Sequence, residues 1–169
     1  DVGGIVNNIK VESVNYILDK INFEKLSEGI PSNFHGDLQF DNILLTKNKE
    51  FKLLDWRQDF SGILDYGDLY YDLAKLNGGI YVSYKKVKNG DFKYKGDLTD
   101  CMISISNDKF LSNSKLIFNK FVKENNLDLN RIEILTGLIF LNMSPMHNKP
   151  FSHYIYNYGR LHLTKWCKN

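Results

Sequence analysis

Residues 35–55 read HGDLQFDNILLTKNKEFKLLD, and this stretch decides the fold and site predicted for the 169-residue chain. Two short, largely apolar runs at 43–46 and 51–54 flank the polar tetrapeptide KNKE at 47–50. Apolar runs of this length around a polar turn are typical of a β-hairpin. The pattern therefore predicts two four-residue strands joined by a four-residue turn.

The register of this hairpin determines which polar groups meet. If Thr46 pairs with Phe51, the antiparallel register places Asn42 opposite Asp55. Residues that face each other across such a pair have Cβ atoms about 4.5–5.5 Å apart. The Asn42 amide oxygen and the Asp55 carboxylate are then predicted to share one hard cation. Asp37 lies in a glycine-containing loop that can turn its carboxylate toward the same place.

An amide oxygen, a carboxylate and a second, free carboxylate suit phosphoryl transfer. Mg²⁺ is typically held by one or two protein oxygens, with water and phosphate in its remaining positions. The reaction also needs a carboxylate that positions the attacking hydroxyl. We therefore predict Asp37 as the catalytic residue that accepts the hydroxyl proton, and Asn42 and Asp55 as the metal ligands. His35 is predicted to anchor the loop backbone through a buried hydrogen bond of its ring.

Three motifs in this region resemble those of the aminoglycoside phosphotransferase and choline kinase family. HGDLQFDN at 35–42 resembles the family's HGDxxxxN motif. LLDW at 53–56 resembles the element that carries its metal-binding Asp, and GDLYYDLA at 67–74 resembles its GDPxxDLA segment. The three motifs also occur in the family's order. By this resemblance, Asp68 and Asp72 brace the catalytic loop. Two residues depart from the family pattern: Arg57 stands where Glu is frequent, which leaves the substrate open, and Leu69 replaces the usual Pro.

The resemblance implies an ATP- and Mg²⁺-dependent kinase that acts on a hydroxyl of a small molecule. The fold class is then α+β, mainly helical, as in the C-terminal lobe of a protein-kinase-like fold, with residues 1–169 as a single domain. The family's N-terminal lobe supplies a loop over the ATP phosphates and a strand lysine. Neither is recognisable here, since Gly3 and Gly4 follow no predicted strand. We therefore expect a catalytic lobe that needs the N-terminal lobe of the same protein and is inactive alone.

The loop after Asp55 is expected to line the acceptor pocket, because it directly follows a predicted metal ligand. Its polar and aromatic groups are the candidate acceptor-binding residues: Trp56, Arg57, Asp59, Asp65 and Tyr66. The acidic and aromatic groups suit a cation such as a choline-like amine, whereas the arginine favours an anion or a sugar phosphate. An aminoglycoside or a sugar fits as well. Each residue also has a structural alternative, as a core aromatic or a turn-forming acid.

Composition narrows the class of protein. A hydrophobic content of 43% and an aromatic content of 14% are those of a globular domain with one core. The net charge of +2 predicts neither a nucleic-acid nor a membrane partner. The sequence contains no run of 18 apolar residues, so no membrane-spanning helix is predicted. Cys101 and Cys167 lack metal-ligand spacing, which favours reduced thiols in a cytoplasmic protein.

Periodicity predicts the remaining elements. Five helices are expected, at 5–21, 68–77, 109–124, 130–143 and 151–166. In the third of these, the inward stripe is predicted to hold Phe110, Ile117, Phe118 and Phe121. Alternation from Ile80 to Tyr84, followed by Asn89-Gly90, predicts a second hairpin at about 80–95. The segment 98–106 stays open between a third strand and irregular structure.

Two other functions stay open at this point. A non-catalytic binding module would keep the fold without handling ATP. A metal-dependent phosphohydrolase would use the same carboxylates and release phosphate without an acceptor.

Overall fold

The computed structural model describes residues 2–106 and 109–167, which form an α+β architecture in which about half of the residues are helical. Its helices are α1 (Val14–Lys20), α2 (Phe23–Ser27), α3 (Leu69–Tyr81), α4 (Tyr84–Lys88), α5 (Lys109–Glu124), α6 (Leu129–Met143) and α7 (Phe151–Trp166). Its strands are β1 (Gly4–Val6), β2 (Ile9–Val11), β3 (Pro31–Ser32), β4 (Ile43–Leu45), β5 (Phe51–Leu53), β6 (Gly67–Asp68), β7 (Phe92–Gly96) and β8 (Asp100–Ile105). None of the described helices combines the length and apolarity needed to cross a membrane.

The strands form one mixed sheet and two small ribbons. The sheet has the order β2-β1-β8-β7, in which β1 and β8 are parallel and the other pairs antiparallel. The ribbons are β3–β6 and β4–β5. Apolar side chains of the sheet, among them Val6, Val11 and Ile103, pack against Phe140 of α6 and Tyr154 of α7. The core therefore lies between the sheet and the last two long helices.

The predicted helix at 5–21 is wrong over its first half. Residues 4–11 form the β1–β2 hairpin, and the helix begins only after Ser13, whose side chain caps it by accepting from the Tyr16 N–H. Asn7 and Asn8 have φ of 51° and 62°, the left-handed pair that a two-residue hairpin turn requires. The Asn7 amide also bonds both to the N–H and to the carbonyl of Ile103. Long-range pairing with β8 thus overrides the helical periodicity.

The second hairpin exists, but at 92–105 and not at 80–95. Helix α3 continues to Tyr81, and its buried residues Ile80 and Asn77 show that packing governs this segment. The Asn89-Gly90 pair ends helix α4 instead of turning a hairpin. The hairpin turn lies at 97–99, where the Asp97 carboxylate accepts from the N–H groups of Thr99 and Asp100. The segment 98–106, for which the sequence left strand and irregular structure as alternatives, contains strand β8.

The predicted bounds of α5 and α7 are confirmed, whereas the inward stripe of α5 is wrong. Phe118 is buried as expected, but Phe110, Ile117 and Phe121 are exposed. The buried face is completed by Leu111 and Val122, because α5 packs on α3 and α6 along that side. Helix α6 is capped by Asp128, two residues before the predicted start.

A buried polar network joins α3, α5, α6 and α7. The fully buried Glu133 accepts at one oxygen from Lys115 Nζ (2.7 Å) and Tyr81 Oη (3.1 Å), and at the other from Asn77 Nδ2 (3.0 Å). His162 Nε2 lies 3.0 Å from that second oxygen. Burial opposes the charge of Glu133, but the hydrogen bonds and charges of His162 and Lys115 outweigh it and lower its pKa to about 2.

Candidate functional site

The predicted hairpin at 43–54 is present, but its register differs by one residue. Ile43 pairs with Leu53, and Leu45 pairs with Phe51. The Leu54 N–H donates to the carbonyl of Asn42 at 2.9 Å. Asn42 therefore lies opposite Leu54, and the predicted cross-strand pair of Asn42 with Asp55 is wrong.

The length of the turn causes this shift. Thr46 N donates to the Glu50 carbonyl at 2.9 Å, so these two residues pair and the turn proper has three residues. Lys49, its third residue, has φ of 63°. A three-residue turn that ends in a left-handed residue is a common hairpin connection, and a change of one residue moves each partner to the other face of the ribbon.

The loop that carries Asp37 is held by Asp72 of α3. The buried Asp72 carboxylate accepts from the backbone N–H groups of His35 (2.6 Å) and Gly36 (2.8 Å). The Asp37 N–H donates to Nδ1 of His35 at 3.2 Å. The His35 ring therefore binds the backbone of this loop. Gly36 has φ of 77°, which a residue with a Cβ rarely adopts. Charge-assisted bonds to two successive N–H groups fix where Asp37 points.

The Asp37 carboxylate is surrounded by donors on both oxygens. Oδ1 lies 2.7 Å from Lys75 Nζ, a close ion pair. Oδ2 has longer contacts, at 3.3 Å to the side-chain nitrogens of Asn42 and Gln39 and at 3.9 Å to Arg57 Nη2. The Asp37 side chain is 17% exposed. It is therefore shielded from bulk water and still reachable, with Oδ2 the less tightly held oxygen.

Lys75, Gln39 and Tyr71 are site residues that the sequence analysis missed. Lys75 follows Asp72 by three residues, so helical spacing puts both on one face of α3, and that spacing could have revealed it. Burial raises the pKa of Tyr71, and the negative charge of Asp37 raises it further, which reflects how near the two side chains lie.

The side-chain amide of Asn42 is oriented through its nitrogen. The residue is buried, and its amide nitrogen donates to the Asp37 carbonyl (2.9 Å) and to Asp37 Oδ2. These bonds orient the amide, and none of the described residues donates to its Oδ1. A carbonyl oxygen that accepts no hydrogen bond from the described residues suits a hard cation.

Asp55 is exposed, and none of the described residues forms an ion pair or hydrogen bond with its carboxylate. Its φ of 55° lies in the left-handed region, which is uncommon for a residue other than glycine. Both of its neighbours touch the Asp37 loop or its support: Leu54 bonds to Asn42, and the Trp56 ring lies 5.0 Å from the His35 ring. The chain is thus held to residues 42 and 35 on either side of Asp55.

Asn42 and Asp55 supply oxygens of the type that Mg²⁺ accepts as ligands. Among the described residues, no group of three or more His, Cys, Asp or Glu side chains is arranged to hold a metal. Mg²⁺ does not require such a group, because it takes one or two protein oxygens and completes its shell with water and phosphate. The Asn42 amide oxygen and the Asp55 carboxylate are oxygens of this kind.

His35 and Asp68 have supporting positions. His35 is almost fully buried, and because Nδ1 accepts from Asp37, the ring proton lies on Nε2, which has no partner among the described residues. Asp68 caps α3 by accepting from Tyr70 N (3.0 Å) and also accepts from Ile30 N (3.1 Å). It tethers two segments at the start of the helix and does not touch Asp37.

The five candidate acceptor-binding residues have different surroundings. Arg57 crosses the Asp37 loop, so closely that a Cβ on Gly36 would lie 2.6 Å from the Arg57 Cβ. Asp59 closes a turn by accepting from Gly62 N at 2.7 Å, which is the structural alternative. All five residues are exposed; the Trp56 indole N–H donates to the Leu53 carbonyl, and Asp65 and Tyr66 lie in the loop before β6.

A cavity of about 1200 Å³ opens between the β4–β5 ribbon, α3 and α6. Its wall is mostly apolar and includes Phe40, Leu76 and Met143. Asp37, Asn42 and Asp55 do not line it, but Gln39 and Lys75 do, and both contact the Asp37 carboxylate. These two side chains therefore connect the cavity to Asp37.

Comparison of the chain with protein-family models, with curated proteins and with solved structures finds no match.

Proposed function

We propose that this chain is the catalytic lobe of a protein-kinase-like phosphotransferase, which moves the γ-phosphoryl group of ATP to a hydroxyl of a small molecule. The observation that carries the proposal is the fixed, partly exposed carboxylate of Asp37. Asp72 holds its loop, and cations and amides surround it. A choline-like amine, an aminoglycoside or a sugar would be the acceptor.

In this reaction the acceptor oxygen forms a bond to the γ-phosphorus while the bond from that phosphorus to the bridging oxygen of ADP breaks. The electron pair of the broken bond leaves with ADP, and the acceptor proton passes to Asp37. Oδ2 is the oxygen suited to take it, because its contacts of 3.3–3.9 Å are longer than the 2.7 Å pair at Oδ1. Fixed orientation of this carboxylate supplies much of the rate enhancement.

Mg²⁺, when bound, offsets the charge of the phosphates, and Asn42 and Asp55 are the residues that would hold it. Asn42 would be a pre-oriented ligand, because its amide nitrogen is already fixed by Asp37. Asp55, exposed and without a partner among the described residues, would join only as the ion binds. The ion site thus has one rigid and one adaptable member.

Substitution of the two carboxylates tests the proposal. In the full-length protein, Asp37→Asn is expected to lower kcat at least 10³-fold, because the general base is lost. Asp55→Asn should lower it by a similar factor and raise the Mg²⁺ concentration needed for half-maximal rate. ADP release with a panel of alcohols that includes choline, an aminoglycoside and simple sugars is the measurement.

Asp59→Asn is the matched control, since Asp59 is an exposed carboxylate of the same segment that closes a turn. It should leave kcat within about twofold of wild type. Near-wild-type turnover by Asp37→Asn would contradict the proposal. Phosphate release that no alcohol accelerates would indicate a phosphohydrolase instead.

A further inference from the structure

Lys75 is a nearly buried cation with donors to spare. Its side chain is 11% exposed, and Nζ lies 2.7 Å from Asp37 Oδ1 and 4.0 Å from Met143 Sδ. An ammonium group has three donors, and a thioether sulfur is a weak acceptor. The described residues therefore give Lys75 one strong acceptor. Keeping a charged group away from water with so few partners is costly unless a ligand supplies more.

Lys115 shows how a purely structural lysine differs in this fold. Its Nζ donates to Glu133 and to Asn77 Oδ1, both at 2.7 Å, and lies over the rings of Tyr81 and Phe118. The surrounding side chains account for its charge and its donors. The two lysines have carboxylate contacts of equal length, so the number of further partners is what separates them.

The position of Lys75 lets a ligand reach it. Lys75 lies on α3, one turn from the Asp72 that fixes the Asp37 loop, and its side chain forms part of the wall of the 1200 Å³ cavity. Lysine has a flexible four-carbon stem and an ammonium that can rotate between acceptors. A small movement could therefore transfer it from Asp37 Oδ1 to an anion beside that carboxylate.

The proposed reaction brings such an anion to this point. When an acceptor hydroxyl is bound to Asp37, the negatively charged oxygens of the γ-phosphoryl group stand next to a negative carboxylate. Their repulsion opposes the approach, and a cation held between the two would offset it. Lys75 is the closest cation to Asp37 among the described residues, because Arg57 lies at 3.9 Å and is largely exposed.

We propose that Lys75 is a catalytic residue that binds a non-bridging oxygen of the transferred phosphoryl group while Asp37 takes the acceptor proton. This inference rests on the proposed function and adds a residue to it. The ion pair with Asp37 is then the arrangement without substrate, in which the carboxylate holds the Lys75 ammonium group close to where it acts.

Replacement of one phosphoryl oxygen by sulfur tests the contact. The full-length protein is assayed for ADP release from Mg²⁺·ATP and Mg²⁺·ATPγS, with the best alcohol of the panel or with water. Sulfur is a poor hydrogen-bond acceptor, so wild type should use ATPγS much more slowly than ATP. Lys75→Gln should lower kcat with ATP about 10²–10³-fold, but lower the rate with ATPγS far less, so the ratio of the two rates falls at least tenfold.

Lys85→Gln is the matched control, because Lys85 is another cation at the cavity and is exposed. It should leave both rates and their ratio unchanged. Urea unfolding of each variant checks that it folds. If Lys75→Gln does not fold, Lys75→Arg replaces it, since the larger guanidinium keeps the charge but shifts the contact, and the ratio should again fall.

Two results would overturn the inference. Equal losses with ATP and ATPγS, at an unchanged ratio, would mean that Lys75 acts only by orienting Asp37. No ADP release by the wild-type protein with any alcohol or with water would overturn the proposed function, and the role of Lys75 with it.

Discussion

Two lysine–carboxylate pairs in this molecule have the same length and different surroundings. Lys115 and Glu133 are 2.7 Å apart inside the helical core, and Lys75 and Asp37 are 2.7 Å apart at the candidate site. Glu133 is fully buried and accepts at each oxygen from two partners on other helices. Asp37 is partly exposed, with only longer contacts at Oδ2.

The difference is the one expected between a network that only holds the fold and one that has interactions left for a ligand. Buried charges are tolerated when every lone pair and donor has a partner. The Glu133 network meets this condition, so an added ligand would gain nothing there. Around Asp37, spare donors on Lys75 and an open oxygen on Asn42 leave interactions to be made. Because both ion pairs are 2.7 Å long, the length of the ion pair alone does not distinguish the two networks.

Removal of each carboxylate should give the largest difference in stability between the two lysine–carboxylate pairs. Glu133→Ala leaves the buried His162 and the partly exposed Lys115 without their carboxylate partner and should cost about 3–5 kcal/mol of unfolding free energy. Asp37→Ala should cost clearly less, because Lys75 lines the cavity and can turn its ammonium group into it. Urea unfolding of both variants gives the two values. A larger loss for Asp37→Ala would reverse the assignment of the two networks.

The second-largest effect is expected from acid, which should weaken the Glu133 network. The pKa of Glu133 in the folded protein, about 2, lies below the ordinary value of 4.5, so the unfolded chain takes up the proton first. The stabilisation from Glu133 is therefore complete above about pH 4.5 and is lost as the pH falls toward 2, by about 3 kcal/mol. Urea unfolding between pH 5 and 2 measures it. In Glu133→Gln this part of the pH dependence should disappear, and an unchanged slope would contradict the prediction.

The brace of the candidate site should give a smaller effect. Asp72→Asn keeps one acceptor oxygen for two N–H groups, so either His35 or Gly36 loses its bond, at about 2 kcal/mol. kcat should fall as well, because Asp37 is no longer fixed. Asp68→Asn is the control, since Asn caps a helix as well as Asp does. Unfolding free energies and ADP release compare the two. Equal effects of the two changes would mean that Asp72 has no special part in holding the loop.

Local patterns carried much of the fold. Helical periodicity over 16 residues predicted the bounds of α5 and α7, although it did not predict which face of α5 is buried. The first hairpin was placed at 43–54 by its apolar runs. Its register was not, because turn length depends on a single residue, Lys49, whose left-handed backbone no pattern announced. The helix predicted at 5–21 failed because the pairing of Asn7 with Ile103 spans most of the chain.

The sequence by itself determined which residue types could act and roughly where the Asp37 loop lies. Only the tertiary structure decided which side chains meet. It placed Lys75 and Gln39 on Asp37, assigned Asp59 to a turn and put Leu54, rather than Asp55, opposite Asn42. The reason is physical. Residue chemistry and short-range periodicity can be read from neighbouring residues in the sequence, whereas contacts between α3 and a loop more than 30 residues earlier form only when the core packs.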